Sequence, residues 1–274
     1  TGACNIEAKQ AALFIATKPG DTGYNPLFLY SDSGLGKTHL LYAIANKYRE
    51  RPDGKKVVYC AGSDFLDEIM HLRENSKFDE FKEYVVSHDI LLIDDIQMLA
   101  DKDKTNALFF EIFQAMYNKG KQIVITSDKH PTELKGFDER LKSRFANGLS
   151  ISIGALDVST CVNILKCKIA SGPIPVEAFD EDVLTLIGEK FSKNVRYINE
   201  ALKKIVWYTT AFQPTSHIDM NVALEALADL LDVRTAKTQI SESKIIQTVA
   251  DYYSLTPTQL TGSSREGQIA LARH

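Results

Sequence analysis

Ser31-Asp32-Ser33-Gly34-Leu35-Gly36-Lys37-Thr38 is the stretch on which the reading of this 274-residue chain turns. It follows an apolar run, Leu27–Ser31, and opens a helical pattern, Lys37–Arg49. A glycine-rich turn between strand and helix lets the backbone wrap closely around a chain of phosphates, and the free amides at the helix start point at the anion. Lys37 stands where it can meet the β- and γ-phosphates, and the Thr38 hydroxyl where it can hold Mg2+. The strict pattern opens with glycine, whereas this chain has Ser31; a Cβ there is expected either to tighten the turn or to weaken binding.

Working outward, Lys56–Ala61, Ile90–Asp94, Gln122–Thr126 and Leu149–Ile153 join Leu27–Ser31 as strand candidates. Most lack in/out alternation, as strands of a parallel sheet covered on both faces do. Between them lie helix candidates, Lys37–Arg49, Ser63–Leu72, Phe78–Val86 and Asn106–Asn118, with Ser63 and Thr105 as expected N-caps, Pro52 closing the first and Gly120 following the last. The alternation predicts an α/β fold, an open three-layer sandwich around a parallel five-stranded sheet. One strand, Ile90-Leu91-Leu92-Ile93-Asp94-Asp95, ends in adjacent carboxylates, at the carboxyl edge where such sheets bind ligands. Asp94 is expected to reach Mg2+ and Asp95 to orient or activate an attacking water.

Beyond Gly154 the strand signal stops. Val158–Ala170, Asp180–Phe191, Val195–Phe212 and Met220–Leu231 read as amphipathic helices, interrupted by Gly172-Pro173 and Pro214. They predict an all-α lid, followed by a polar stretch, Val233–Thr238, and a further helix, Ile240–Tyr253. The expected division is an α/β nucleotide-binding domain over 1–154, a helical lid over 155–233, and over 234–274 a connector with the start of another helical domain. Because Thr1 is not a natural start, the chain is expected to be a piece of something longer.

The composition narrows the function classes. Hydrophobic residues make up 44% and charged residues 25%, and 32 basic against 36 acidic side chains leave a formal charge of −4. Any nucleic-acid contact must therefore come from a local basic patch. No apolar run approaches the ~18–20 residues needed to cross a bilayer. Cys4, Cys60, Cys161 and Cys167 have neither CxxC spacing nor the density of a disulfide scaffold, which points to a reducing, cytoplasmic setting.

Six stretches carry a family resemblance: Tyr24–Tyr30, Gly34–Leu41, Leu91–Gln97, Ile125–Asp128, Arg140–Phe145 and Asn194–Arg196. In them the chain resembles the AAA+ ATPases of the bacterial replication-initiator family, DnaA. The resemblance implies an AAA+ P-loop sandwich with lid, binding ATP or ADP with Mg2+ through Ser33, Gly34, Leu35, Gly36, Lys37, Thr38, His39 and Asp94. It implies that Asp128 senses the γ-phosphate, that Arg144, with Arg140 beside it, acts as a finger reaching a neighbour's ATP, and that Arg196 couples the lid to the nucleotide. It further implies ATP-dependent homo-oligomers at a chromosomal origin and slow hydrolysis as a switch. Single-stranded DNA would be engaged through the core, at Met70 and Lys104. Met70 also reads as core filler and Lys104 as a solvated charge. Ile240–Tyr253 resembles the first helix of the family's DNA-binding domain and Gly262–His274 its basic loop, without a recognition helix. Double-stranded site binding and contact with the replicative helicase are therefore expected of the full-length chain. The alternatives are an AAA+ helicase loader and a regulatory relative that holds nucleotide only as structure.

Overall fold

The computed structural model describes residues 2–20, 22–50, 56–74, 78–238, 246, 249–250, 252–253 and 255–262. Pro52, most of the predicted Ile240–Tyr253 helix and residues 263–274 lie outside them. The described chain forms two compact units, one from Thr1–Val176 and Leu184–Glu200, the other from Glu177–Val183 and Ala201–His274.

The first unit is built on a parallel sheet of five strands. They are β1 (Leu27–Tyr30), β2 (Val57–Ala61), β3 (Ile90–Asp94), β4 (Gln122–Ser127) and β5 (Leu149–Ser152), in the order β2-β3-β4-β1-β5. Every residue of β3 and β4 is buried, which is why neither alternates polar and apolar positions. One face, carrying Phe28, Leu91, Ile93, Ile123 and Ile125, packs in a core with Phe65, Phe109, Phe113 and Phe145. Those aromatic residues come from α3 (Gly62–Glu74), α5 (Asp103–Asn118) and α6 (Glu139–Ala146), with α4 (Phe78–Ser87) adding Val85 and Val86. On the other side α2 (Lys37–Arg49), with Leu41, Ile44 and Ala45 buried, packs against β2, β3 and β4. Helix α1 (Ile6–Thr17) covers α2 in turn. Because β1 lies between β4 and β5, the loop leaving β1 opens at the carboxyl edge, one strand in from the end of the sheet.

The first unit also holds α7 (Val158–Ile169), with most of α8 (Glu181–Phe191) and the first part of α9 (Val195–Trp207). In the second unit, Phe179 pairs with Ile218 in a short parallel bridge, and Lys204 forms an ion pair with Asp229. Helix α10 (Met220–Thr238) buries Ala223, Ala226 and Leu227.

Several local expectations are corrected. Ser63 lies inside α3, its hydroxyl donating to Asp64 rather than capping the helix. Thr105 is likewise inside α5, which begins at Asp103, and it is buried. The segment Val195–Phe212 is not one α-helix: α9 ends at Trp207 and one wide π turn covers Tyr208–Phe212. Helix α10 runs on to Thr238, seven residues past the predicted end at Leu231.

Candidate nucleotide site

The loop after β1 has backbone angles that explain its glycines. Gly34 and Gly36 sit at φ 83° and φ 100°, in the region L side chains avoid. Gly36 caps α2, and the first helical bond runs from the Leu40 amide to its carbonyl. Gly34 has a second reason to lack a side chain, since a Cβ there would lie 1.8 Å from Asn194 Oδ1. Ser31 and Asp32 do not adopt positive φ; among the described non-glycine residues only Asp95 and Asp101 do. The backbone at the first position of the motif therefore accommodates Ser31 without strain.

Lys37 is 6% exposed, and its ammonium donates to the Ser31 carbonyl (2.8 Å), the Asp32 carbonyl (3.2 Å) and Ser31 Oγ (3.4 Å). Burial pulls its pKa down, opposed by the charges of Asp95, Asp128 and Asp94. Ser33, Gly34, Leu35, Gly36, Lys37, Thr38 and His39, the predicted loop residues, all line one cavity of about 690 Å3. Thr38 and His39 are exposed to it at the start of α2, and Leu156 and Ile164 add an apolar wall.

The acidic end of β3 divides its two carboxylates. Asp94 is 5% exposed; its Oδ1 accepts from Thr126 at 2.5 Å and its Oδ2 from Tyr59 at 3.1 Å. Burial is the main reason the Tyr59 phenol is pushed far up, with Tyr42 and Asp94 adding to it. Asp95 takes the left-handed conformation (φ 52°, ψ 58°), accepts from Gln97 Nε2 at 3.0 Å and lines the cavity. Asp128 follows β4; its Oδ1 is buried and accepts no hydrogen bond. It lines a second cavity of about 560 Å3 that includes Ser31 and Asp32.

Arg196 reaches the loop directly, Nη1 to Ser33 Oγ at 3.0 Å. Asn194, which the sequence did not single out as a site residue, holds this junction. Its Nδ2 donates to the Ser33 carbonyl at 2.9 Å, its Oδ1 accepts the Arg196 amide at 2.7 Å, and the Val195 amide donates to the Gly34 carbonyl at 3.0 Å. The available signal was an asparagine just ahead of a helical pattern, the usual N-cap type. Tyr59 and Thr126 were also missed, being strand residues remote in sequence from Asp94.

Arg140 and Arg144 lie elsewhere, around a shallow cavity of about 400 Å3 on α6. Asp138 caps that helix by accepting the Leu141 amide, Leu141 and Phe145 face the core, Arg140 is exposed and Arg144 half-buried. The guanidinium of Arg140 sits 5.6 Å from the Phe110 ring centre and that of Arg144 5.9 Å from that of Tyr117, distances suited to cation–π attraction. Lys104 is exposed in the first turn of α5. Met70 belongs to α3, and its side chain is outside the described residues. Among the described residues no helix is long and apolar enough to cross a membrane, and no cluster of three or more His, Cys, Asp or Glu could cage a metal ion.

The arrangement is thus a glycine-rich loop at a helix start with one buried lysine, the Asp95 carboxylate and an arginine from α9 on one cavity, suited to an anionic phosphate chain. Residues 1–152 match the family model described as the bacterial DnaA ATPase domain. The chromosomal replication initiator protein DnaA of Bordetella avium is 40% identical over 273 residues, covering 100% of this chain and 55% of that protein. The chain therefore spans about half the length of the curated relatives it matches. Domain III of the Thermotoga maritima replication initiation protein DnaA superposes with a TM-score of 0.75 at 35% identity, over 84% of this chain and 93% of that one. A structure of the replication initiator DnaA bound to AMPPCP and single-stranded DNA gives a TM-score of 0.71 at 30% identity, over 100% of this chain and 77% of that one.

Proposed function

Because the chain belongs to the bacterial DnaA family, we propose that it is the ATP-binding core of a replication initiator, assembling with ATP at the chromosomal origin and helping to open the duplex. The observation that carries this reading is the junction of loop and helix: Lys37 buried beneath the loop, and Arg196 and Asn194 bonded to Ser33. A nucleotide seated there meets the loop amides and Lys37, and its terminal phosphate is read by Arg196 and, from the second cavity that shares Leu35 with the first, by Asp128. Ser33, Gly34, Leu35, Gly36 and His39 shape the wall around it. Thr38 and Asp94 supply the oxygen donors that suit Mg2+, which is held by few protein groups together with phosphates and water. Bound there, Mg2+ would neutralise phosphate charge; Asp95, lining the cavity, orients the attacking water for slow hydrolysis.

Arg144 projects from α6 away from its own cavity and serves a neighbouring copy's γ-phosphate, with Arg140 beside it; ATP thereby favours the homo-oligomer and ADP releases it. In this reading residues 1–154 hold nucleotide, 155–233 form the lid and 234–274 lead toward a DNA-binding domain. The AMPPCP and single-stranded DNA bound by the relative support ATP and single-stranded DNA as ligands here, with Lys104 and Met70 as the candidate DNA contacts. Double-stranded sites and the replicative helicase are partners of the longer protein, in the cytoplasm.

Calorimetric titration with ATP and Mg2+ tests the reading. The unmodified chain binds and Lys37→Ala does not; undiminished binding by Lys37→Ala removes the loop from the nucleotide site.

A further inference from the structure

The two acidic residues at the end of β3 share one buried hydroxyl. Thr126 follows Ile125, which pairs with Ile93, so it stands beside Asp94 on the neighbouring strand. It is 0% exposed. Its Oγ1 donates to Asp94 Oδ1 and accepts the backbone N–H of Asp95 at 2.9 Å. An amide can only donate, so the single hydroxyl proton is committed to Asp94. From the opposite side β2 brings Tyr59, whose hydroxyl donates to the other carboxylate oxygen. The Tyr59 ring is held in turn by stacking on Tyr42, centroids 5.0 Å apart and planes at 25°.

The amide bond also falls where the backbone departs from the common regions. Asp95 lies at φ 52°, a conformation a residue with a Cβ seldom takes unless its surroundings hold it there. The turn separates the two carboxylates, leaving Asp94 inside the network between strands and Asp95 on the cavity wall. A β-branched residue suits the task, since its χ1 is stiff and the hydroxyl cannot readily swing away.

We propose that Thr126 is the positioning residue of the nucleotide site, one hydroxyl fixing the Asp94 side chain and the Asp95 backbone together, with Tyr59 closing the far side of Asp94. This rests on the metal–nucleotide reading above. Thr126 touches neither nucleotide nor metal; it acts through the two aspartates.

The test is calorimetric titration of the chain with ATP, once with Mg2+ and once with EDTA. Thr126→Val keeps the shape and removes the hydroxyl; it lowers the gain in affinity that Mg2+ confers by about 10–100-fold, as lost partners of metal-binding groups do. Its affinity in EDTA stays near that of the unmodified chain. Thr126→Ser retains the hydroxyl and most of the Mg2+ gain, and Tyr59→Phe loses a smaller part of it than Thr126→Val. If Thr126→Val keeps the full gain, or Thr126→Ser loses as much as Thr126→Val, the positioning role is overturned while the nucleotide site stands. If the unmodified chain binds ATP in neither buffer, the nucleotide reading falls and this inference with it.

Discussion

Replacing Gly34 by alanine sets a local strain against a remote contact, and the two can be separated. At φ 83° an alanine carries a left-handed penalty of about 1–2 kcal/mol. The new Cβ would also stand 1.8 Å from Asn194 Oδ1, far inside any tolerable contact, so the amide must move. Moving it forfeits the bonds to the Ser33 carbonyl and the Arg196 amide. Both are exposed, so each is taken near the low end of the ordinary net range, about 0.5–1 kcal/mol. Gly34→Ala should therefore destabilise the first unit by about 2–4 kcal/mol, strain and lost bonds together. In an Asn194→Ala background the clash is absent and only the strain of about 1–2 kcal/mol remains. A double-mutant cycle by urea denaturation, followed by circular dichroism without nucleotide, should then give a coupling of about 1–2 kcal/mol. Gly36→Ala is the control: its φ is 100° but no atom lies within 4 Å of the added Cβ, so its cost should not depend on Asn194. Equal costs of Gly34→Ala in both backgrounds would refute the contact between loop and α9.

Three further outcomes follow from other parts of the molecule. Phe145→Ala removes a fully buried ring that meets Phe28, Phe109, Phe113 and Phe137 at 5.7–6.3 Å, and should cost about 3–5 kcal/mol in urea denaturation. Arg144→Ala should leave ATP affinity unchanged by calorimetry while abolishing ATP-dependent assembly; assembly at wild-type strength would end the finger assignment. Asp157 caps α7 and is held below the usual carboxylate range, first by the Ser159 hydroxyl and then by the Thr160 amide and hydroxyl. Its folded pKa is depressed, so its stabilisation is present above the unfolded value, near pH 4, and is lost as pH falls through the folded one. Asp157→Asn keeps a capping oxygen but does not titrate, so the fall in melting temperature below about pH 4 should be shallower than in the unmodified chain.

The parts legible in the sequence are those whose cause is local. The loop could be read because Gly34, Gly36 and Lys37 answer to backbone angles and charge within a few residues. The strands could be read because burial on both faces leaves unbroken apolar runs such as Ile90–Ile93. Helix α1 went unread: it buries Ala8, Ala12, Ile15 and Ala16, a helical spacing carried mostly by alanine, whose apolar signal is weak. The start of α5 was misplaced because Thr105 resembles a cap, yet helix begins earlier and the threonine is drawn into the core. The partners of Asp94 could not be read, because β2 and β4 flank β3 through the order of the sheet. Register then places Ala61 opposite Asp94 and Tyr59 two residues back on the same side. Asn194 and Arg196 joined the loop for the same kind of reason, more than a hundred and fifty residues after it.

The central claim is that nucleotide state controls assembly, and light scattering at high protein concentration measures it directly. A mass above that of the monomer in ATP and Mg2+, returning to the monomer in ADP and Mg2+, is the predicted result. The same mass in both nucleotides, whether monomer or assembly, would contradict it.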